Sequence, residues 1–382
     1  MLNLFRPLLG ICLLIGLPLL LSGQEAPRDS GWLRRTADRM FGDSVPPGKP
    51  RFLVYPTLGY APETSLEIGF SAVTLFYAKN DYERNRLSEI QLFTFFTLER
   101  QYGAWFDHAV YGDDDKWFFL GKLRFQRFPL LYYGIGPEAP GDDPNLVQAD
   151  YTLIRERVLR KLAPNLFLGL ELDYQRLYNA TFERPALPNP LGSAGSRNLG
   201  LGLGLVYDNR HNVLNVREGF FAELAYLRYQ PGWGSDFRFQ GWYADARYYH
   251  PMPWSPQQVV ATQILGTFLR GDVPFNQLAL MGGDQMMRGY YTGRLRDKNY
   301  LAAQVEYRFL PFPFAKRLGA AAFMGAGAVA PDMGAFRARD IRPAGGVGLR
   351  YLLFPTKDIF VRLDLGITQE GTGIYFYTGE AF

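Results

Sequence analysis

The sequence predicts an all-β protein, a 16-stranded antiparallel transmembrane β-barrel. Three observations predict it. The chain opens with a secretory signal; it carries 16% aromatic residues and 41 glycines at a negative mean hydropathy; and run after run alternates residue by residue, with almost no helix-period stretch. That is the composition of a wall standing between lipid and a polar lumen.

The signal is residues 1–23. Arg6 precedes an apolar run from Pro7 to Leu21, and Leu21-Ser22-Gly23 ends in small residues, with cleavage expected after Gly23. The run is short for a spanning helix, which needs roughly 20 residues. The single cysteine, Cys12, lies inside it behind Ile11, where a lipoprotein signal would place a small residue. No lipid anchor is therefore expected, and the mature chain has no thiol for disulfides or metal. A net charge of +4 on 41 basic and 37 acidic residues gives no reason to expect nucleic acid. The expected location is the outer membrane of a Gram-negative-type bacterium, with outer-membrane lipid around the barrel.

Residues 24–50 read as a short periplasmic leader. "DSGWLRRTADRMFGD" (29–43) predicts one short helix, with Leu33, Ala37 and Phe41 on one face. "VPPGKP" (45–50) breaks it. The barrel domain then runs over 51–382. Strands are expected near 51–60, 64–78, 87–99, 101–111, 116–128, 148–160, 164–178, 196–210, 218–230, 235–250, 257–271, 299–310, 317–330, 342–354, 358–368 and 372–382, with Phe382 closing the last. In 166–173, for example, Leu166, Leu168, Leu170 and Leu172 alternate with Phe167, Gly169, Glu171 and Asp173. Loop parity supports the count. With the first strand running outward, the short connectors at 161–164, 250–256, 310–315 and 354–357 are periplasmic. The longer ones at 129–147, 179–195, 272–298 and 331–341 are extracellular, as barrels require. A soluble sandwich or propeller would expect polar outer faces, and no fixed-period repeat is present.

Chemistry is sparse. His108 adjoins Asp107, but neighbouring strand residues face opposite ways and cannot form a relay. His211 and His250 lie in turns. Without a nucleophile elbow or a metal-ligand cluster, no enzyme activity, catalytic residue, cofactor or metal is expected. "YGDDDK" (111–116) and "GDDPN" (141–145) read as solvated acidic turns whose spacing matches no calcium site.

"MMRGYYTGRLRDKNYLAAQVEYRF" (286–309) lies at the sixth extracellular loop and the strand after it. It resembles the superfamily of outer-membrane insertases and translocators that includes BamA, TamA and the two-partner secretion transporters. Its hallmark is an Arg-Gly-aromatic loop tip, here Arg288-Gly289-Tyr290. "YDNRHNVLNVREGFF" (207–221), with Asp208, Arg210 and Gly219, resembles the family's periplasmic turn. "YYGIGPEAP" (132–140), "GGVGLRY" (345–351), "VRLDLG" (361–366) and the aromatic C-terminus follow in family order.

The resemblance implies that the sixth loop folds into the lumen and that its arginine pairs with acids on neighbouring strands. Glu306, lumen-facing by alternation, is the matching partner. Relatives usually carry an aspartate on the thirteenth strand; here "RLGAAAFMGAGAV" (317–329) has none, Phe323 stands there, and Asp364 is the expected second acceptor. The resemblance also implies a weak seam between first and last strands, where Gly371, Gly373, Gly379 and Phe382 lie. The implied work is insertion or translocation of protein or lipid at the outer membrane. The implied partners are an unfolded or translocating client and a periplasmic or surface protein. That protein would replace the family's POTRA domains, for which about 27 residues before the first strand are too few. The alternative expectation is a passive or gated porin-like channel.

Overall fold

The computed structural model describes residues 49–127, 129–184, 189–210, 215–354 and 358–382. The expected signal, leader and helix at 29–43 lie outside the described residues, apart from Lys49 and Pro50.

Among the described residues, sixteen strands form one closed antiparallel wall, and a short strand, Leu130–Tyr132, pairs with residues 145–147 beside it. They are β1 (Arg51–Ala61), β2 (Ser65–Tyr77), β3 (Leu87–Thr97), β4 (Tyr102–Tyr111), β5 (Trp117–Arg127), β6 (Asn145–Ala163), β7 (Leu166–Phe182) and β8 (Ser196–Asp208). There follow β9 (Gly219–Tyr229), β10 (Phe239–Met252), β11 (Ser255–Gly271), β12 (Asn299–Phe309), β13 (Leu318–Ala330), β14 (Arg342–Phe354), β15 (Ile359–Thr368) and β16 (Gly371–Thr378). Each pairs with its chain neighbours, and β16 returns to β1.

The period of two sorts the side chains. Along β12, Tyr300, Ala302, Gln304, Glu306 and Arg308 are buried, while Leu301, Ala303 and Tyr307 are exposed. On β7 and β8 the outward rows are largely leucine, and inward rows carry Glu171, Asp173 and a run of glycines. Exposed apolar residues outside and buried charge inside invert a soluble protein's pattern, as expected of a wall whose outer solvent is hydrocarbon.

Neighbouring strands pair over long ladders: β1 and β2 match residue for residue from Arg51↔Leu75 to Ala61↔Ser65. The closing edge differs. Between β1 and β16 the only paired residues are Tyr60 and Phe376. One expectation at this edge is corrected. β16 ends at Thr378, not at the chain's end, and residues 379–382 leave the wall and turn inward. Phe382 packs beside Tyr249, Val216, Val259 and Ala261 instead of lining a strand edge. The pull inward is electrostatic: Glu380 meets Arg350 at 2.9 Å, and the carbonyl of Phe382 accepts from Arg308 at 2.9 Å.

Candidate functional site

The site is built by three inward rows and one loop. Alternation on β12 turns Glu306 and Arg308 inward; the same parity on β14 presents Arg350, and on β15 Arg362 and Asp364. The loop 272–298 begins and ends in a short hairpin, Ala279–Met281 against Leu295–Asp297. Its middle carries Arg288 to those rows.

Arg288 is completely buried. Its guanidinium forks: one nitrogen bonds Glu306, and Nη1 donates to Asp364 at 2.6 Å. The structure thus brings together the three side chains that sequence reasoning associated. Phe323, which replaces the missing acid, lies beneath the fork with its ring centroid 3.5 Å from the guanidinium carbon. A desolvated cation over a ring face is worth about 2 kcal/mol. An aromatic face therefore takes the place of a third charge–charge contact.

Neither carboxylate is served by Arg288 alone. Arg308 Nε reaches Glu306 at 2.8 Å, Arg350 Nη1 reaches Asp364 at 2.5 Å, and Arg362 holds both Asp364 (3.0 Å) and Asp284 (2.8 Å). With Glu380 on Arg350, Arg288, Arg308, Arg350 and Arg362 face Asp284, Glu306, Asp364 and Glu380, so the network is charge-balanced, and all of it but the partly exposed Asp284 is buried. Buried charges persist only when paired and hydrogen-bonded in this way. The spacing of the sequence did not reveal Arg308, Arg350, Arg362 and Glu380 as members. The available signal was inward parity: three arginines fall on lumen rows, where an isolated charge would be expensive.

The residues around the arginine explain the rest of the motif. Gly289 has φ of +110°, and an added Cβ would lie 2.6 Å from Thr368 Cγ2, so both conformation and space demand glycine. Opposite it, a Cβ on Gly366 would meet the Arg288 carbonyl at 2.6 Å, so the wall is hollowed to admit loop backbone. Gly289 N donates to the Tyr375 hydroxyl on β16 at 2.9 Å. Tyr290 donates to the carbonyl of Pro343 and packs with Met281, Met286, Met287, Leu295, Tyr300 and Val329. The paired methionines are core for the loop. A cavity of about 680 Å³ lies within the lumen, with Asp284, Arg362, Lys122 and Phe382 among its lining.

The other expected residues lie elsewhere. Asp208 and Arg210 clasp each other at 2.9 Å in the β8–β9 turn. Gly219, at φ +116°, lets that turn close against Arg210. Arg217 grips Asp358 of the β14–β15 turn at 2.7 Å, so the motif ties short turns together away from Arg288. Gly371 opens β16, Gly373 pairs with Gly366 of β15, and Gly379 stands where the chain leaves the wall. None of these three forms the β1 contact. Asp107 faces inward onto Arg124 (2.5 Å) and His108 faces outward. His108 has an acidic partner that sequence reasoning missed, Glu156 on β6 at 3.1 Å. The acidic turns are occupied by cationic side chains, Lys116 on Asp114 (3.0 Å) and Arg184 on Asp143 (2.7 Å). No group of three or more metal-ligating side chains is present among the described residues.

Comparison with known proteins places this architecture. Among solved structures the chain is similar to BamA from Haemophilus ducreyi lacking POTRA domains 1–3. Identity is 16% and the TM-score 0.57, over 86% of this chain and 70% of that one. It is also similar to CdiB from Acinetobacter baumannii (12% identity, TM-score 0.58, 86% and 59% of the two chains). CdiB from Escherichia coli gives 10% identity and a TM-score of 0.55 over 85% and 62%. At such identities the likeness is one of fold, and the chain spans about six-tenths of either CdiB. No curated protein matches. The model of the Omp85 superfamily domain matches residues 53–382, from within β1 to the inward-turned segment. With the ordered motifs and the sixteen-stranded wall, that match makes the chain a member of the Omp85 superfamily.

Proposed function

We propose that this barrel works in the outer membrane as an insertase or translocator, assisting protein or lipid across or into that membrane together with a separate protein partner. The observation that carries the proposal is the closing edge. A barrel used as a static pore has no need of a closure whose strand pairing is Tyr60↔Phe376 alone while its other junctions zip along whole strands. Unpaired N–H and C=O groups along such an edge are a template for an incoming strand. Arg288 then acts as the fastener of the loop beside that edge, through Asp364 on β15 and the Gly289–Tyr375 bond on β16. In this reading the loop fills the lumen and conductance is small.

The test is a reversible tether at the register pair. Tyr60→Cys with Phe376→Cys, oxidised in outer membranes, should block client insertion or export and recover on reduction. Full function in the oxidised state, with the cross-link complete on a gel, would sink the proposal. A lone barrel with steady, large conductance would favour the porin reading instead.

A further inference from the structure

The outward face is largely apolar, with Arg197, Arg228 and Arg270 toward the long-loop rim, and away from the rims one ionisable pair interrupts it. His108 on β4 and Glu156 on β6 both point outward, with Nε2 of His108 3.1 Å from Oε1 of Glu156. They sit on strands that are not neighbours and meet across Gly121 of β5, the register partner of each. A Cβ at Gly121 would come within 2.2 Å of the imidazole and 2.3 Å of the carboxylate, so the gap between them exists only because the residue is glycine. Phe106, Phe119, Leu123, Ile154 and Val158 surround the pair on the same face. Glu156 and, nearer the long-loop rim, Asp150 are the only acidic residues on outward strand faces among the described residues.

The pair has polar company above and below it. Outward along β6 the sequence reads Arg160, Val158, Glu156, Ile154, Thr152, Asp150. Arg160 lies over the Trp117 ring (5.8 Å) at the short-turn rim. Thr152 is in register with Arg176 of β7, whose guanidinium lies over Tyr178 (4.9 Å). Polar groups therefore recur every fourth residue, about 13 Å apart along the strand, where an outer barrel face normally offers an apolar band about 25 Å tall. The adjoining part of β7 keeps that band unbroken, with Leu166, Leu168, Leu170 and Leu172. A bilayer meets buried charge by thinning and admitting water, and both lower the barrier to a polar headgroup.

We propose that the outer wall from β4 to β7 moves zwitterionic phospholipids between leaflets. The headgroup passes from Arg160 to the Glu156–His108 pair to the Thr152–Arg176 rim, while the acyl chains stay in hydrocarbon. The phosphate suits the two arginines and the ammonium suits the carboxylate. This inference rests on the barrel crossing a bilayer and is independent of the seam and of Arg288.

The full chain is reconstituted into vesicles containing tail-labelled fluorescent phosphatidylethanolamine, and dithionite is added outside. Flotation with the vesicles and heat-modified mobility check insertion and folding first. The wild type should expose inner-leaflet label far faster than protein-free vesicles. His108→Phe with Glu156→Leu should slow it about tenfold, equivalent to about 1.4 kcal/mol on the barrier. Glu156→Gln, which keeps the shape, should fall between, and labelled phosphatidylglycerol should move more slowly than the zwitterionic lipid. Wild-type movement no faster than the protein-free rate, or an unchanged double variant, would overturn the proposal. So would slowing by Arg288→Ala with none by the double variant, because lipid would then travel by the seam. A chain that does not float would overturn the membrane reading with it.

Discussion

Arg288 uses the geometry of its side chain as well as its charge. Glu306 and Asp364 stand on strands three apart in the wall, and one planar fork reaches both while its face covers Phe323. A lysine delivers one compact ammonium and matches neither the two directions nor the stacking. Arg288→Lys should therefore free the loop partway. Arg288→Ala, leaving two carboxylates short of a partner, should cost about 3–5 kcal/mol of loop docking. Limited proteolysis of 272–298 in detergent reads both; equal protection in all three proteins would remove Arg288 from the role. At this scale the sequence was partly legible. Arg288, Glu306 and Asp364 followed from parity and the family motif. The role of Phe323 did not, because nothing in "RLGAAAFMGAGAV" says that a guanidinium from another part of the chain will lie on its ring. Glu156 was missed for a similar reason: its partnership with His108 crosses an intervening strand and depends on a glycine there.

Between elements, the β1–β2 turn is a second hold on the same loop. Glu63, buried in that turn, accepts from the backbone N–H of Thr292 at 2.7 Å and from its hydroxyl at 3.0 Å. Burial raises the Glu63 carboxyl above its ordinary range, and Asp284 pushes the same way. A carboxyl whose folded pKa is raised contributes stability below its unfolded pKa, about 4.3, and loses it as pH rises through the folded value. Glu63→Gln keeps an acceptor for Thr292 and cannot ionise. The variant should melt higher than wild type at pH 8, with the difference closing at pH 4. A variant that melts lower at pH 8 would mean the ionised form is the one the fold favours. Element boundaries were the most legible feature: period-two alternation and turn residues located all sixteen strands within a few residues. The misjudged end was β16. By parity Glu380 would fall on the outward row with Ile374 and Phe376, and its carboxylate turns inward to Arg350 instead, while Phe382 packs beside Tyr249 and Val259.

For the whole molecule, strand number and parity were legible because a closed wall must return to its start and its two rims differ. Sixteen strands enclose a lumen wide enough for an aqueous channel, so what fills it decides what crosses. Disrupting the buried network with Arg288→Ala should raise single-channel conductance in planar bilayers and lengthen its open periods. Conductance equal to wild type would mean that the loop does not limit the lumen. The form of those openings follows from the hairpin at the base of the loop. Ala279–Met281 and Leu295–Asp297 are zipped together, and Met281, Met286, Met287, Tyr290 and Leu295 cluster with one another and with Tyr300 and Val329 of the wall. Segment 272–298 is thus a small solid body on two tethers rather than a slack cord. Such a body moves as one piece, so the current should change in discrete jumps between fixed levels, as a door does and a curtain does not.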